Sequence, residues 1–297
     1  MRGDARSRII CFGDVIDDVV AIPSGPIRDD TDTVSSIRFR AGGSAANTAA
    51  WLGSLGAGVD FVGVVGNEDV GRHGALFARA HVVEHLRGSG TLPTGAIVVI
   101  VAGQQRTMLT ERGANASLQP EWVTEDLLSR AAVLHMTGHV LLNDAGSAGV
   151  IDLIARARAA GVVVSVGAGS AGFIADYGIA NFMQAFAGAD LLFTSFEEGA
   201  LLTGLSSPED VALALGAFFG TVVLTLGASG VHVAHADGLE AVTAKEALVV
   251  DPTGAGDAFC AGYLDSWVRN GDAAAAARAG VAVAARAVGF VGGRPPA

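Results

Sequence analysis

The chain has 297 residues, 51% of them hydrophobic and 16% charged, which supplies a sizeable core and argues against extended disorder. Nineteen Lys and Arg against 30 Asp and Glu give a formal net charge of −11, so the basic face that nucleic acid demands is not expected. Apolar runs stay short of the roughly 20 residues of a membrane span, no secretory signal is expected, and two cysteines, Cys11 and Cys260, fit a reduced, cytoplasmic protein.

Near-continuous Val/Ile/Leu runs predict strands at residues 8–13, 59–66, 131–136, 161–166, 190–193 and 221–226. Helical spacing is predicted between them, at 44–55, 70–80, 145–160, 197–203 and 208–218, and two alanine-rich helices at 255–269 and 272–288 follow. Apolar strands alternating with helices imply a parallel sheet covered on both faces. Residues 15–40 and 91–110 break the rhythm, being β-rich with polar alternation and no helix inside. The second reads as a hairpin turning near Gly103 and Gln104. The two insertions are expected to pair into a small sheet that serves as a lid or a dimer surface; two unrelated surface hairpins are the simpler alternative.

Two glycine-rich stretches carry candidate chemistry. Gly167-Ala168-Gly169-Ser170-Ala171-Gly172, after an apolar strand, is a literal G-x-G-x-x-G, the dinucleotide fingerprint. Its helix is interrupted at Asp176-Tyr177-Gly178, and 41 glycines make chance matches common, so a loop at a strand end is the favoured reading. The stretch DPTGAGDAFCAGYL, residues 251–264, is better specified. Pro252 disfavours helix at Asp251, and Gly254-Ala255-Gly256 then opens a helix with Phe259, Tyr263 and Trp267 on its apolar face. Small residues there leave N–H groups and the positive end of the helix dipole free for an anion. Asp257, in that first turn, reads either as a helix cap or as a base beside an anion cradle, the pair that phosphoryl transfer to an alcohol requires. No G-x-x-x-x-G-K-[ST] occurs, so a Walker A loop is not the explanation.

The second stretch resembles the C-terminal D-T-x-G-A-G-D signature of the ribokinase-like (PfkB-type) carbohydrate kinases, and the resemblance runs along nearly the whole chain. Gly13-Asp14-Val15-Ile16-Asp17-Asp18 is similar to the end of the family's first strand, and Gly42-Gly43-Ser44-Ala45-Ala46-Asn47 to its G-G-x-x-x-N signature. VGVVGNEDVG, at 62–71, is similar to a further segment, and Thr225-Leu226-Gly227-Ala228-Ser229-Gly230 to the nucleotide-side T-x-G-x-x-G. The resemblance implies one ribokinase-like domain over 1–297. Its fold would be α/β, a doubly wound, mostly parallel sheet flanked by helices, with a small β-sheet lid from the 15–40 and 91–110 insertions. The implied activity is Mg²⁺- and ATP-dependent phosphorylation of a hydroxymethyl group on a sugar or sugar-like alcohol.

In that scheme Asp257 is the general base, and Gly254, Ala255 and Gly256 supply the amides of an anion hole. Asp18, Gly42, Gly43 and Asn47 hold sugar hydroxyls. Arg106 and Arg112 are either partners of an acidic group on the substrate or solvated lid-edge residues. Ser195, Thr225, Gly227 and Gly230, with Gly254 and Gly256, face the nucleotide. Glu198 reaches Mg²⁺ through water, and Asp251 lies where members stimulated by K⁺ bind that ion. His139 reads as a structural histidine before a substrate contact. There are two departures. Ser195 replaces the family's Asn in Asn-x-x-Glu, with Glu197 as the alternative to Glu198, and the 167–170 loop lacks an acid that related chains carry. A homodimer through the lid, without nucleic acid or membrane, is the expected assembly. The rivals are a nucleoside kinase, for which Phe39 is the one evident stacking aromatic, and a non-catalytic ligand-binding protein that kept the fold.

Overall fold

The computed structural model describes residues 7–102 and 105–296. Its first half runs β1 (Arg8–Phe12), β2 (Ile16–Pro23), β3 (Ser35–Gly42), α1 (Ser44–Ser54), β4 (Val59–Gly66), α2 (Val70–Arg79), β5 (Val83–Ser89), β6 (Gly95–Ala102) and β7 (Gln105–Glu111). There follow α3 (Glu125–Arg130), β8 (Ala131–Thr137), α4 (Gly146–Ala159), β9 (Val163–Gly167), α5 (Ala171–Tyr177), α6 (Ile179–Ala185), β10 (Leu191–Ser195) and α7 (Phe196–Thr203). The chain continues through α8 (Pro208–Gly216), β11 (Thr221–Thr225), β12 (Val231–His235), β13 (Gly238–Val242), α9 (Ala255–Asn270) and α10 (Ala273–Ala287).

Nine strands form one sheet in the order β13-β12-β11-β10-β9-β8-β1-β4-β5. It is parallel except where β12 pairs antiparallel with β11 and β13. The reason lies in strands such as RIICF of β1. Ile9 and Cys11 enter the core on one face, Ile10 and Phe12 the core on the other, and all four are buried. A strand covered on both faces has no cause to alternate apolar with polar. One face packs Trp51 of α1 and Phe259 and Tyr263 of α9; the other packs Leu153 of α4, Phe182 of α6 and Leu215 of α8. Each such side chain contributes about 1.5–3 kcal/mol by leaving water.

The two insertions do pair. β2 and β6 run parallel, with Ile16 opposite Gly95, and the four strands form a separate sheet of order β3-β2-β6-β7. The turn expected at Gly103 and Gln104 lies outside the described residues. Among the described residues, no helix is long and apolar enough to cross a membrane.

Strand order departs from β1 in both directions, to β4 on one side and β8 on the other. Connections leaving the carboxyl ends of β1 and β8 therefore diverge, and a crevice opens between them. The N-terminus of α9 closes over this edge, and Gly256 and Asp257 share a hollow with Thr137, Gly167, Ser195 and Thr225, which end β8, β9, β10 and β11.

Candidate active site

Gly254 caps α9 with φ 74°, a left-handed conformation, and a Cβ there would overlap the Cα of Gly293. This turn delivers Asp257 into the first turn of the helix. Asn47 Nδ2 donates to Asp257 Oδ2 at 2.9 Å, and Thr48 Oγ1 donates to the Asp257 carbonyl at 3.4 Å. Both donors come from α1, which packs on α9, so Asn47, 210 residues away, fixes the carboxyl, and Thr48 the backbone behind it. Burial pushes its pKa up to about 7; the charges of Asp14 and Asp18 add to the rise, while hydrogen bonds from Asn47 and Ser44 oppose it. The group is closely surrounded yet keeps an exposed edge on a hollow of about 150 Å³. Gly256 opens onto the same hollow, and nothing lies within 4 Å of where its Cβ would stand.

Asp18 of β2 and Gly42 at the end of β3 are neighbours, so close that a Cβ on Gly42 would overlap the Asp18 carboxylate. Gly43, at φ 92°, brings its backbone against the carbonyl of Asp14. Asp14 is 9% exposed and accepts from Ser44 N at 3.2 Å and Thr137 Oγ1 at 3.4 Å. Asp18 is pushed up to about 6 by burial, with Arg294 opposing and Asp14 and Asp17 adding. Asp17 turns elsewhere. Burial would raise it, but His73 at 3.4 Å and two hydrogen bonds from Arg72, at 2.9 and 2.5 Å, hold it well below the usual carboxylate range. Arg112 is half-buried rather than at a solvated edge. Its Nη2 donates to the His139 carbonyl at 3.1 Å, its Nε is buried without a partner, and burial lowers its pKa against the pull of Asp14. The Arg106 side chain lies outside the described residues. His139 packs on Phe173, ring centroids 5.2 Å apart, and on Gly169.

On the other side of Gly256, Ser195, Thr225, Gly227 and Gly230 line a cleft of about 1110 Å³, whose walls include Leu248, Val249, Val281 and Val288. Ser195 is the N-cap of α7. Its Oγ accepts from Glu198 N at 3.3 Å, and Glu198 Oε2 accepts from Ser195 N at 2.7 Å and from Thr194 Oγ1 at 3.3 Å. A short hydroxyl suits that capping box, which gives Ser195 a structural reason of its own. Among the described residues no group of three or more His, Cys, Asp or Glu could hold a metal ion. Asp251 orders the turn before α9: Oδ1 accepts from Thr253 N and Oγ1 at 2.9 and 2.7 Å, and Oδ2 from Gly292 N at 3.0 Å.

The G-x-G-x-x-G at 167–172 follows β9 and opens α5, but α5 has only seven residues and ends at Gly178, φ 95°. Ser170 satisfies its first turn by accepting from Phe173 N at 3.2 Å, and Gly169 lets the His139 ring approach. The stretch is a loop at a strand end beside Asp257.

Sequence reasoning misses the segment 288–294, which straps the site together. The Val288 carbonyl accepts from Val250 N and Asp251 N at 2.8 and 3.1 Å. Trp51 Nε1 donates to the Gly293 carbonyl at 2.9 Å, and Arg294 Nη2 to that of Gly42 at 3.1 Å. A Cβ on Gly293 would overlap the Asn47 amide. The pair Gly292-Gly293, ahead of Pro295-Pro296, is the one sequence signal of so close a passage.

A doubly wound sheet with a crevice at its switch point and a separate four-stranded sheet is the ribokinase-like fold. A fructokinase from Xylella fastidiosa, solved with bound ATP, superposes with a TM-score of 0.84 at 24% identity, covering 97% of this chain and 94% of that one. The family model described as "pfkB family carbohydrate kinase" matches residues 6–297, and the chain belongs to that family, whose members are phosphotransferases. Among characterised relatives, the ATP-dependent ribose-1-phosphate kinase of Halopiger xanaduensis is 31% identical over 281 residues, 89% of this chain and 86% of that one. The 2-dehydro-3-deoxygluconokinase of Thermoproteus tenax is 27% identical over 313 residues, covering 97% and 90%.

Proposed function

We propose that this carbohydrate kinase transfers the γ-phosphoryl group of ATP to a hydroxymethyl oxygen of a small sugar, with Asp257 as the base. The observation that carries this reading is the Asp257 carboxyl, raised towards neutrality and held by Asn47 on the first turn of α9, directly after Gly254, Ala255 and Gly256. Asp257 takes the hydroxyl proton as the oxygen attacks phosphorus, and the amides of Gly254 and Gly256 face the charge that develops on the transferring group. Ala255 N donates to the Pro252 carbonyl at 3.2 Å and joins them only if that turn bond yields. Asp18, Gly42, Gly43 and Asn47 orient the acceptor. The apolar walls of the large cleft take the base of the nucleotide, and Ser195, Thr225, Gly227 and Gly230 its phosphate end. Mg²⁺, bound with the nucleotide, neutralises phosphate charge. Glu198, one oxygen of which is committed to the Ser195 backbone, would hold that ion through a water. A monovalent cation such as K⁺ would share Asp251 with neighbouring carbonyls.

The chain acts in this reading as one cytoplasmic kinase unit, with the small sheet as a lid that excludes water on closure. Ile37 and Phe39 on β3 and Met108 and Leu109 on β7 are all more than half exposed, which supports a homodimer through that lid.

A coupled ADP-release and thermal-shift screen over ribose, fructose, ketodeoxy sugar acids, phosphorylated sugars and nucleosides tests the reading. Turnover of a sugar is expected, with kcat rising through about pH 7 and level above it, because only the ionised Asp257 accepts a proton. Turnover of nucleosides alone would favour the nucleoside kinase. Stabilisation by sugar and ATP without any ADP would leave a binding protein.

The buried, unpartnered Nε of Arg112 favours an acceptor that carries a phosphate or carboxylate. The relatives named for ribose 1-phosphate and 2-dehydro-3-deoxygluconate, both acidic sugars, support it. Arg112→Met is expected to raise KM for ribose 1-phosphate about tenfold or more, the scale of a charge-assisted hydrogen bond, and to leave KM for fructose within about twofold. An equal effect on both sugars would end this second reading.

A further inference from the structure

Arg294 has no part in the chemistry above, yet it stands against the acceptor half of the site. Its Nη2 donates to the Gly42 carbonyl at 3.1 Å, and its guanidinium carbon lies 4.9 Å from the centre of the Phe77 ring on α2. Nε and Nη1 are shielded from solvent and have no hydrogen-bond partner among the described residues. A guanidinium buried with two donor nitrogens empty is costly unless surrounding charge offsets the loss of water. That charge is present. Asp14 faces it from the turn after β1 and Asp17 and Asp18 from β2, against one like charge, Arg72, on α2. The other titratable groups around the three carboxylates are His73 of α2, Asp257 of α9, Arg112 after β7, whose charge Asp14 favours, and Asp69 just before α2, which repels Asp17 and shares Arg72 with it.

The three are not equally free to answer Arg294. Asp17 is clamped by Arg72 and approached by His73, and Asp14 is engaged by Ser44 and Thr137. Asp18 leans directly on Gly42, whose carbonyl Arg294 holds. We propose that Arg294 is a positioning residue of the acceptor site: docked on the Gly42 carbonyl, it fixes the wall behind Asp18 and keeps that carboxylate charged for the acceptor hydroxyls. This rests on the reading of Asp18 as a hydroxyl-binding group. A half-buried carboxylate beside Asp14 and Asp17 is driven towards its protonated form, and a fixed guanidinium opposes that drift. Gly292 and Gly293 deliver it: the first donates to Asp251, the second accepts from Trp51, and the chain has little freedom to withdraw.

The test uses Arg294→Gln and Arg294→Lys proteins that keep the wild-type melting transition. Carboxyl ¹³C NMR of aspartate-labelled protein, with Asp18 assigned through Asp18→Asn, needs no substrate. Asp18 is expected to titrate near pH 6 in the wild type, about one pH unit higher in Arg294→Gln, a tenfold change in its ionisation, and within a few tenths in Arg294→Lys. An unmoved midpoint in Arg294→Gln would overturn the proposal whatever the enzyme phosphorylates. KM for ribose, fructose and ribose 1-phosphate, for those that the wild type turns over, is then followed across the acid and alkaline limbs. In Arg294→Gln the acid limb of KM is expected to move up by about one unit, so that KM near pH 6 rises about fivefold. At alkaline pH, KM should return to within about twofold of the wild type, with kcat little changed throughout. A KM raised equally at every pH would make Arg294 a mere prop, and a loss confined to ribose 1-phosphate would make it an anion ligand; either overturns the proposal. A shifted Asp18 with unchanged KM would overturn the acceptor-site role and place the failure in the reading of Asp18.

Discussion

Asp257→Asn is expected to lower kcat by a factor of about 10² to 10⁴, the usual worth of a positioned general base, while leaving sugar- and ATP-dependent thermal stabilisation nearly intact. The substitution keeps shape and an acceptor oxygen, so the Asn47 contact at 2.9 Å survives. What it removes is the basic oxygen. The Asp257 carboxyl is shifted to about 7 because burial and two neighbouring carboxylates disfavour its charge. That raises its basicity towards the range in which it accepts a hydroxyl proton while remaining substantially ionised at neutral pH. ADP-release rates and melting curves, with and without ligands, make the comparison. A variant retaining more than about a tenth of wild-type kcat would remove Asp257 from the role of base.

Gly254→Ala is expected to damage both stability and turnover. A left-handed φ of 74° costs a non-glycine residue about 1–2 kcal/mol, and the added methyl meets backbone, the Cα and carbonyl of Gly293. Backbone cannot rotate away as a flexible side chain can. If the 292–294 segment yields, Gly293 moves from its place against Asn47, and Asn47 is what holds Asp257. The expected signature is a melting temperature lower by several degrees together with a kcat reduced by more than tenfold. Gly256→Ala serves as the control for stability, because its Cβ would enter open space. A Gly254→Ala protein matching the wild type in both measurements would show that the turn tolerates a side chain.

The central strands were legible because burial on both faces leaves a near-continuous apolar run, as in VDFVGVVG of β4, where Asp60 is the one charged interruption. β5 was not. As an edge strand, VEHLRGS carries polar residues and a half-exposed Val83, so it offers no such run. β12 and β13, which finish the sheet antiparallel, were missed, and α5 and α6 were hidden by the helix break at Gly178. Within the site, Asp257, Asn47 and the glycines at 42–43 and 254–256 could be named from motifs, because the turn chemistry that places them is local. The role of Ser195 was legible too, had Ser-x-x-Glu before an apolar run been taken as a capping box. Asp14 and Arg294 were not. Their importance comes from Thr137, 123 residues away, and from Gly42, 252 residues away, and no local pattern records such a pairing.

Those separations also say something about how the molecule comes together. Asn47 meets Asp257 across 210 residues and Trp51 meets Gly293 across 242. Closing loops of that length costs entropy that is recovered only when the intervening sheet is in place. A chain can therefore hold most of its helices and strands while Asp257 still lacks its partner. In this fold, recovered turnover reports that the most distant parts of the chain have met, which secondary-structure content alone does not.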